Sequence, residues 1–253
     1  MPSIYLNKNR NKYLSEELSI LSDCANPTLR WILSGFDDFE KRIDEIKKSW
    51  SPKVREFYRD VLNLKTKKNP IKTIYRLDNN GKFIRLIEEN FPDLNFSELI
   101  SLQQFLHELN HVKPYYTSDN ARKSLLYAEN YALAKLKKYN LEEIIKTLFN
   151  LHKRTPEDDV FGSYFYKQHT VEIYVIPCII FSMIIKEDFQ DMLIGTLAHE
   201  LAHAFHHIGE DKDGYTWETM PNIELSLVEG LAEYYTCEFA KSVNGQKLSD
   251  SND

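Results

Sequence analysis

Apolar residues along this chain change their spacing several times, and each change predicts an element. Ser15, followed by Glu16, Glu17, Leu18 and Leu21, reads as a helix start. Phe36, Phe39, Ile43 and Ile46 recur at helical spacing and share one face. Ser51-Pro52 suits the cap and first turn of a helix through Val54, Tyr58, Val61 and Leu62. Ile71, Thr73 and Tyr75 alternate like a short strand, and Asn79-Asn80-Gly81 marks a turn after it. Phe83, Leu86, Ile87 and Phe91 return to helical spacing. Asn95 or Ser97 starts a helix that runs to about Val112 and stops at Pro114. Ser118 or Asp119 caps the next, through Leu125, Leu126, Tyr131, Leu133 and Leu136, and a further helix follows from about Leu141 to His152.

The pattern then turns to alternation. Val160 to Tyr166 and Thr170 to Ile176 are rich in β-branched and aromatic residues, and Lys167-Gln168-His169 between them suits a hairpin turn. Pro177 is expected to end the second strand, with a short helix over 178–186. A long apolar helix is predicted from about Asp188 to Ile208, with Gly209 as its C-terminal cap. After a polar loop over 209–221, a last helix spans about Asn222 to Val243. These elements predict an α+β, mostly helical fold. A helical N-terminal region, 1–155, packs on a hairpin-plus-helices part, 156–243, and a polar tail, 244–253, is expected to fray. Thr155 to Asp159 is the expected boundary, and no repeat of solenoid period is visible.

Composition narrows the classes. The chain has 253 residues, 42% of them hydrophobic, enough for a sizeable core. A formal net charge of -6 gives no global case for a nucleic-acid partner. Residues 41–72 are locally basic, which reads as a solvated helical face or as a surface for an acidic partner or nucleic acid. Cys24, Cys178 and Cys237 form neither a disulfide framework nor a Cys-x-x-Cys site and read as buried free thiols. The N-terminus has no apolar signal core. The most apolar run, Ile173 to Ile185, is shorter than the roughly 20 residues a membrane span needs. A cytoplasmic address without membrane attachment is the expectation, and the oligomeric state is open.

Candidate chemistry centres on Thr196 to Phe205, which contains His199-Glu200-Leu201-Ala202-His203. On a helix, histidines four apart project from one face and form half of a tetrahedral zinc site. Glu200 lies about 100° round the helix from His199, placed to reach a metal-bound water without being a ligand. The same pattern occurs at His107-Glu108-Leu109-Asn110-His111, with Glu129 as a conceivable third donor. There the helix is broken at once by Lys113-Pro114, so a solvent-facing helix end is the expectation. The second match has uncharged flanks for a full turn and a complementary segment, Ser226 to Tyr235. Brought antiparallel against the motif helix, that segment offers Glu229 as third ligand, leaving a fourth position for water. Gly230 would allow close helix approach. Glu233, one turn on, suits a hydrogen bond from the outer nitrogen of either histidine. His206 and His207 face other directions and read as partly exposed.

His-Glu-Leu-Ala-His followed by Glu-Gly-Leu-Ala-Glu-Tyr resembles the gluzincin zinc metallopeptidases, closest in wording to the aminopeptidase N-type branch and in layout to thermolysin. The resemblance covers about 160–240. It implies a zincin-like catalytic part, Zn2+ held by His199, His203 and Glu229, Glu200 as general base, and Glu233 at the spacing of the thermolysin-type carboxylate. It also implies that an edge strand, here Val171 to Val175, pairs with extended substrate. No Gly-x-Met-Glu-Asn stretch is present, so amino-terminus recognition is not implied. Only 24 residues follow Glu229, too few for the C-terminal domain that supplies many gluzincins with an electrophilic tyrosine or histidine. Tyr215, Tyr234, Tyr235 and His207 are the candidates for that role. The expected activity is zinc-dependent hydrolysis of peptide or protein substrates, endo- or exopeptidase undetermined. The alternatives are a catalytically inactive zinc protein serving as a peptide- or partner-binding module, and a regulatory protein whose basic N-terminal helices bind nucleic acid or a partner.

Overall fold

The computed structural model describes residues 26–66, 70–79, 81–140, 143–144, 146–147 and 160–250. The helix start expected at Ser15, Cys24, most of the helix expected over 141–152 and the boundary at 155–159 lie outside them. Helices dominate: α1 (Pro27–Ser34), α2 (Phe36–Glu45), α3 (Ser51–Val61), α4 (Lys82–Asn90), α5 (Phe96–Val112), α6 (Asp119–Lys138), α7 (Val175–Ile185), α8 (Phe189–Ile208) and α9 (Leu225–Asp250). A π-helical turn, Ile46–Trp50, joins α2 to α3. The fold is α+β and mostly helical.

Three strands form one small sheet in the order β1 (Lys72–Arg76), β3 (Thr170–Tyr174), β2 (Gly162–Phe165). β2 and β3 are the expected hairpin, with Tyr164 opposite Val171. β1 comes from the N-terminal half and pairs parallel to β3, Tyr75 opposite Ile173. This corrects the edge-strand expectation. The segment Val171 to Val175 lies in the middle of the sheet with both edges occupied, and β2 is the edge strand on the hairpin side. The strand also ends at Tyr174, because Pro177 sits in the first turn of α7, where its missing N–H has no helical acceptor to lose.

The core is continuous across the expected boundary. Leu29, Ile43, Val54 and Tyr58 from the N-terminal helices share one buried cluster with Val171, Ile179, Leu197 and Phe205. α7, apolar on all sides, is buried from Val175 through Ile180, as a helix without a polar face must be. α8 begins where its cap is: the Asp188 carboxylate accepts from the backbone N–H of Gln190 at 2.6 Å and pairs with Arg42 at 3.2 Å. α3 braces the same helix. The Tyr58 hydroxyl donates to the Ala198 carbonyl at 2.8 Å, and its ring stacks on Phe205 with centroids 5.4 Å apart.

Gly209 ends α8 without a left-handed residue, at φ -70°. Space explains it: a Cβ there would lie 2.3 Å from the Phe205 carbonyl oxygen. α9 runs on to Asp250 instead of ending near Val243. Among the described residues no helix is long and apolar enough to cross a membrane. Cys178 is buried, as expected of a free thiol, whereas Cys237 is exposed.

Candidate metal centre

Helical spacing puts His199 and His203 on one face of α8, and α9 brings Glu229 to that face. The two Nε2 atoms lie 3.1 Å apart. Glu229 Oε2 is 3.1 Å from His199 Nε2, and Glu229 Oε1 is 3.5 Å from His203 Nε2. Among the described residues this is the one group of three or more His, Cys, Asp or Glu donors within reach of a common ion. Tetrahedral zinc with bonds of about 2.1 Å holds its ligand atoms about 3.4 Å apart, close to these separations. The donor types and separations therefore fit a zinc-sized ion. Burial pulls Glu229 towards its neutral form, but hydrogen bonds from His199 and His203 outweigh it and hold the carboxyl below its ordinary range. The ionised form is the one that binds a metal.

α8 and α9 pack on each other. Glu229 meets His199 and His203, and Tyr235 meets His206 with ring centroids 5.0 Å apart. Gly230 does not serve close approach, because it is exposed and a Cβ on it would meet nothing within 4 Å. Glu233 is exposed and makes no hydrogen bond to either histidine. His203 Nδ1 is buried with no partner among the described residues, so the outer bond expected of Glu233 is not made.

Glu200 is buried, 2% exposed, beneath β2. A Cβ at Gly162 would lie 2.7 Å from Glu200 Cγ and 3.0 Å from Oε1. Glycine at this position is what lets the edge strand lie directly over the carboxylate. The sequence carried the signal, since a lone glycine in a strand pattern often marks close backbone approach.

The residues proposed as electrophiles are scattered. Tyr215 and Tyr234 are 74% and 56% exposed. Tyr235 packs on His206, whose Nδ1–H donates to the Ala202 carbonyl at 2.6 Å. His207 Nδ1 lies 3.0 Å from the Tyr164 hydroxyl. Burial lowers the pKa of both His206 and His207. A tyrosine not singled out from the sequence, Tyr166, packs on His207 with ring centroids 5.2 Å apart. Burial first, then the carboxylates of Glu229 and Glu200, push the Tyr166 phenol up to about 12.

His107 and His111 also bring their Nε2 atoms within 3.1 Å of each other, but both are exposed. Glu129, their conceivable third donor, is paired with Lys113 at 2.5 Å. A histidine pair at helical spacing thus recurs in this chain, and a third donor joins it only at α8. No protein-family model matches this chain, and neither a curated protein nor a solved structure matches it.

Proposed function

We propose that this chain is a zinc-dependent peptidase of the zincin-like type, cleaving peptide bonds with water. The observation that carries the reading is the convergence of His199, His203 and Glu229 beside a buried glutamate that is not one of the three. When bound, zinc supplies Lewis acidity, polarising a scissile carbonyl and making water nucleophilic near neutral pH. His199, His203 and Glu229 would hold the ion. Glu200, fixed under β2, takes the proton of the attacking water and passes it to the leaving amine.

The outer edge of β2, unpaired among the described residues, gives the substrate a place. An extended peptide can add to a sheet edge through main-chain hydrogen bonds, and Gly162 puts that edge above Glu200. A peptide lying there presents its backbone to the base whatever its side chains. The reading follows the gluzincin resemblance of the motif, with β2 in the strand role first expected of Val171 to Val175.

The test is cleavage of a mixed peptide library by the zinc-loaded protein, by protein stripped with a chelator, and by stripped protein given zinc again. Cleavage by the first and third samples alone is the expected result. Equal cleavage by the stripped sample, or none by any sample, overturns the proposal. His107→Ala should leave cleavage unchanged.

A further inference from the structure

Peptide hydrolysis puts negative charge on the carbonyl oxygen, and a donor aimed at that oxygen contributes strongly to the rate. None of Tyr215, Tyr234, Tyr235 and His207 is placed for this by the contacts described above. We propose that Tyr166 is that donor, its phenol O–H hydrogen-bonding the oxyanion from the end of the edge strand. The inference rests on the peptidase reading and deepens it.

Strand alternation gives the first argument. Residues two apart on a strand share a face. Gly162 faces Glu200, and Tyr164 reaches His207 from the same face of β2. Tyr166 is the next residue in that alternation, just past the strand end at Phe165. Its ring packs edge-on against His207, centroids 5.2 Å apart at 84°, and against Tyr164 at 5.0 Å. His207 lies one helical turn beyond His203, on the side of α8 that continues from the metal ligands. The ring is therefore clamped between the edge strand and the motif helix, which are the two rigid elements that flank a bound peptide.

Electrostatics gives the second. After burial, the charges of Glu229 and Glu200 raise the pKa of the Tyr166 phenol, the direction expected of a ring packed one helical turn beyond His203. The residue is half-buried, and its hydroxyl has no hydrogen-bond partner among the described residues. Tyr174, which also feels Glu200, is fully buried and closed off from substrate. Tyr166 thus combines two properties a donor needs: a ring fixed against the motif helix and a hydroxyl with no hydrogen bond among the described residues. The phenol keeps its proton throughout and no bond to Tyr166 is made or broken. In this arrangement His207, held through Nδ1 by Tyr164, is a positioning residue for the Tyr166 ring.

The experiment compares full-length, zinc-loaded wild type with Tyr166→Phe, Tyr215→Phe, Tyr235→Phe and Glu200→Gln. It measures zinc content, kcat and KM on a cleaved peptide, and affinity for a phosphinic peptide whose tetrahedral phosphorus mimics the charged intermediate. For Tyr166→Phe the expected result is a fall in kcat of about 10²- to 10³-fold. KM and zinc content stay near wild type, and phosphinic-peptide affinity weakens by a comparable factor. Tyr215→Phe and Tyr235→Phe keep wild-type kcat. Undiminished kcat in Tyr166→Phe, or lost kcat with undiminished phosphinic affinity, overturns the assignment while the peptidase reading stands on the inactivity of Glu200→Gln. A wild type that holds zinc yet neither cleaves peptides nor binds the phosphinic peptide overturns both.

Discussion

At the scale of single residues, the centre depends on a few side chains with little redundancy. Glu229 bridges both histidines, so Glu229→Gln exchanges an ionised ligand for a neutral one and should weaken zinc retention well beyond tenfold in a competition titration. Unchanged retention would move the third ligand elsewhere on α9. Gly162→Ala is a sharper probe of the base. Its Cβ would meet Glu200 Cγ at 2.7 Å, so either the strand or the carboxylate has to shift. The expected outcome is retained zinc with kcat reduced by at least tenfold; wild-type kcat would mean that the position of Glu200 under β2 is immaterial to turnover. The placement of His199, His203 and Glu200 was legible because their geometry is local, fixed by one helix. The approach of Glu229 to the pair was legible from its segment, Ser226 to Tyr235, which offers a carboxylate on the helix that follows the motif helix. Glu233 and Gly230 were misread, because which face of α9 meets α8 depends on how the helices cross, and helical spacing alone does not fix that.

At the scale of elements, α8 is held from three sides: by its own cap, by α3 and by the sheet. Tyr58→Phe removes the bond to the Ala198 carbonyl. It leaves that carbonyl its place in the helix, so the cost should be about 1 kcal/mol in denaturant unfolding. A loss above about 3 kcal/mol would mean the ring itself is displaced. Helix and strand types were readable along most of the described chain, because periods of 3.6 and 2 are written in consecutive residues. The pairing of β1 with β3 was not, since Tyr75 and Ile173 meet only through a crossover of nearly a hundred residues. That pairing is why the strand assigned to substrate is central and β2 takes the edge. Gly162 and Tyr166 were overlooked for the same reason: their importance lies in what β2 covers.

At the scale of the whole molecule, one core spans both halves, and it carries an unusual number of buried phenols. Burial raises the pKa of Tyr58, Tyr75, Tyr164 and Tyr174. With the folded value above the unfolded one, their contribution is fully present below the ordinary tyrosine value of about 10 and is lost as pH rises above it. The thermal midpoint should therefore fall steeply between about pH 9 and about pH 11, with tyrosinate absorbance appearing in the unfolding step. Tyrosinate absorbance in the folded protein near pH 10, with a constant midpoint, would contradict this. Bound zinc would act on the same equilibrium. Zinc at a hundred times its Kd stabilises the fold by about 2.7 kcal/mol, so chelation should lower the midpoint by several degrees.

The central claim is that three residues hold zinc and a fourth does the proton transfer. Zinc content and peptide cleavage, measured together on Glu200→Gln and wild type, test it most directly. About one tightly held zinc is expected in each protein, with cleavage lost only in the variant. Full cleavage by Glu200→Gln, or a wild type purified from zinc-containing medium without the metal, would contradict it.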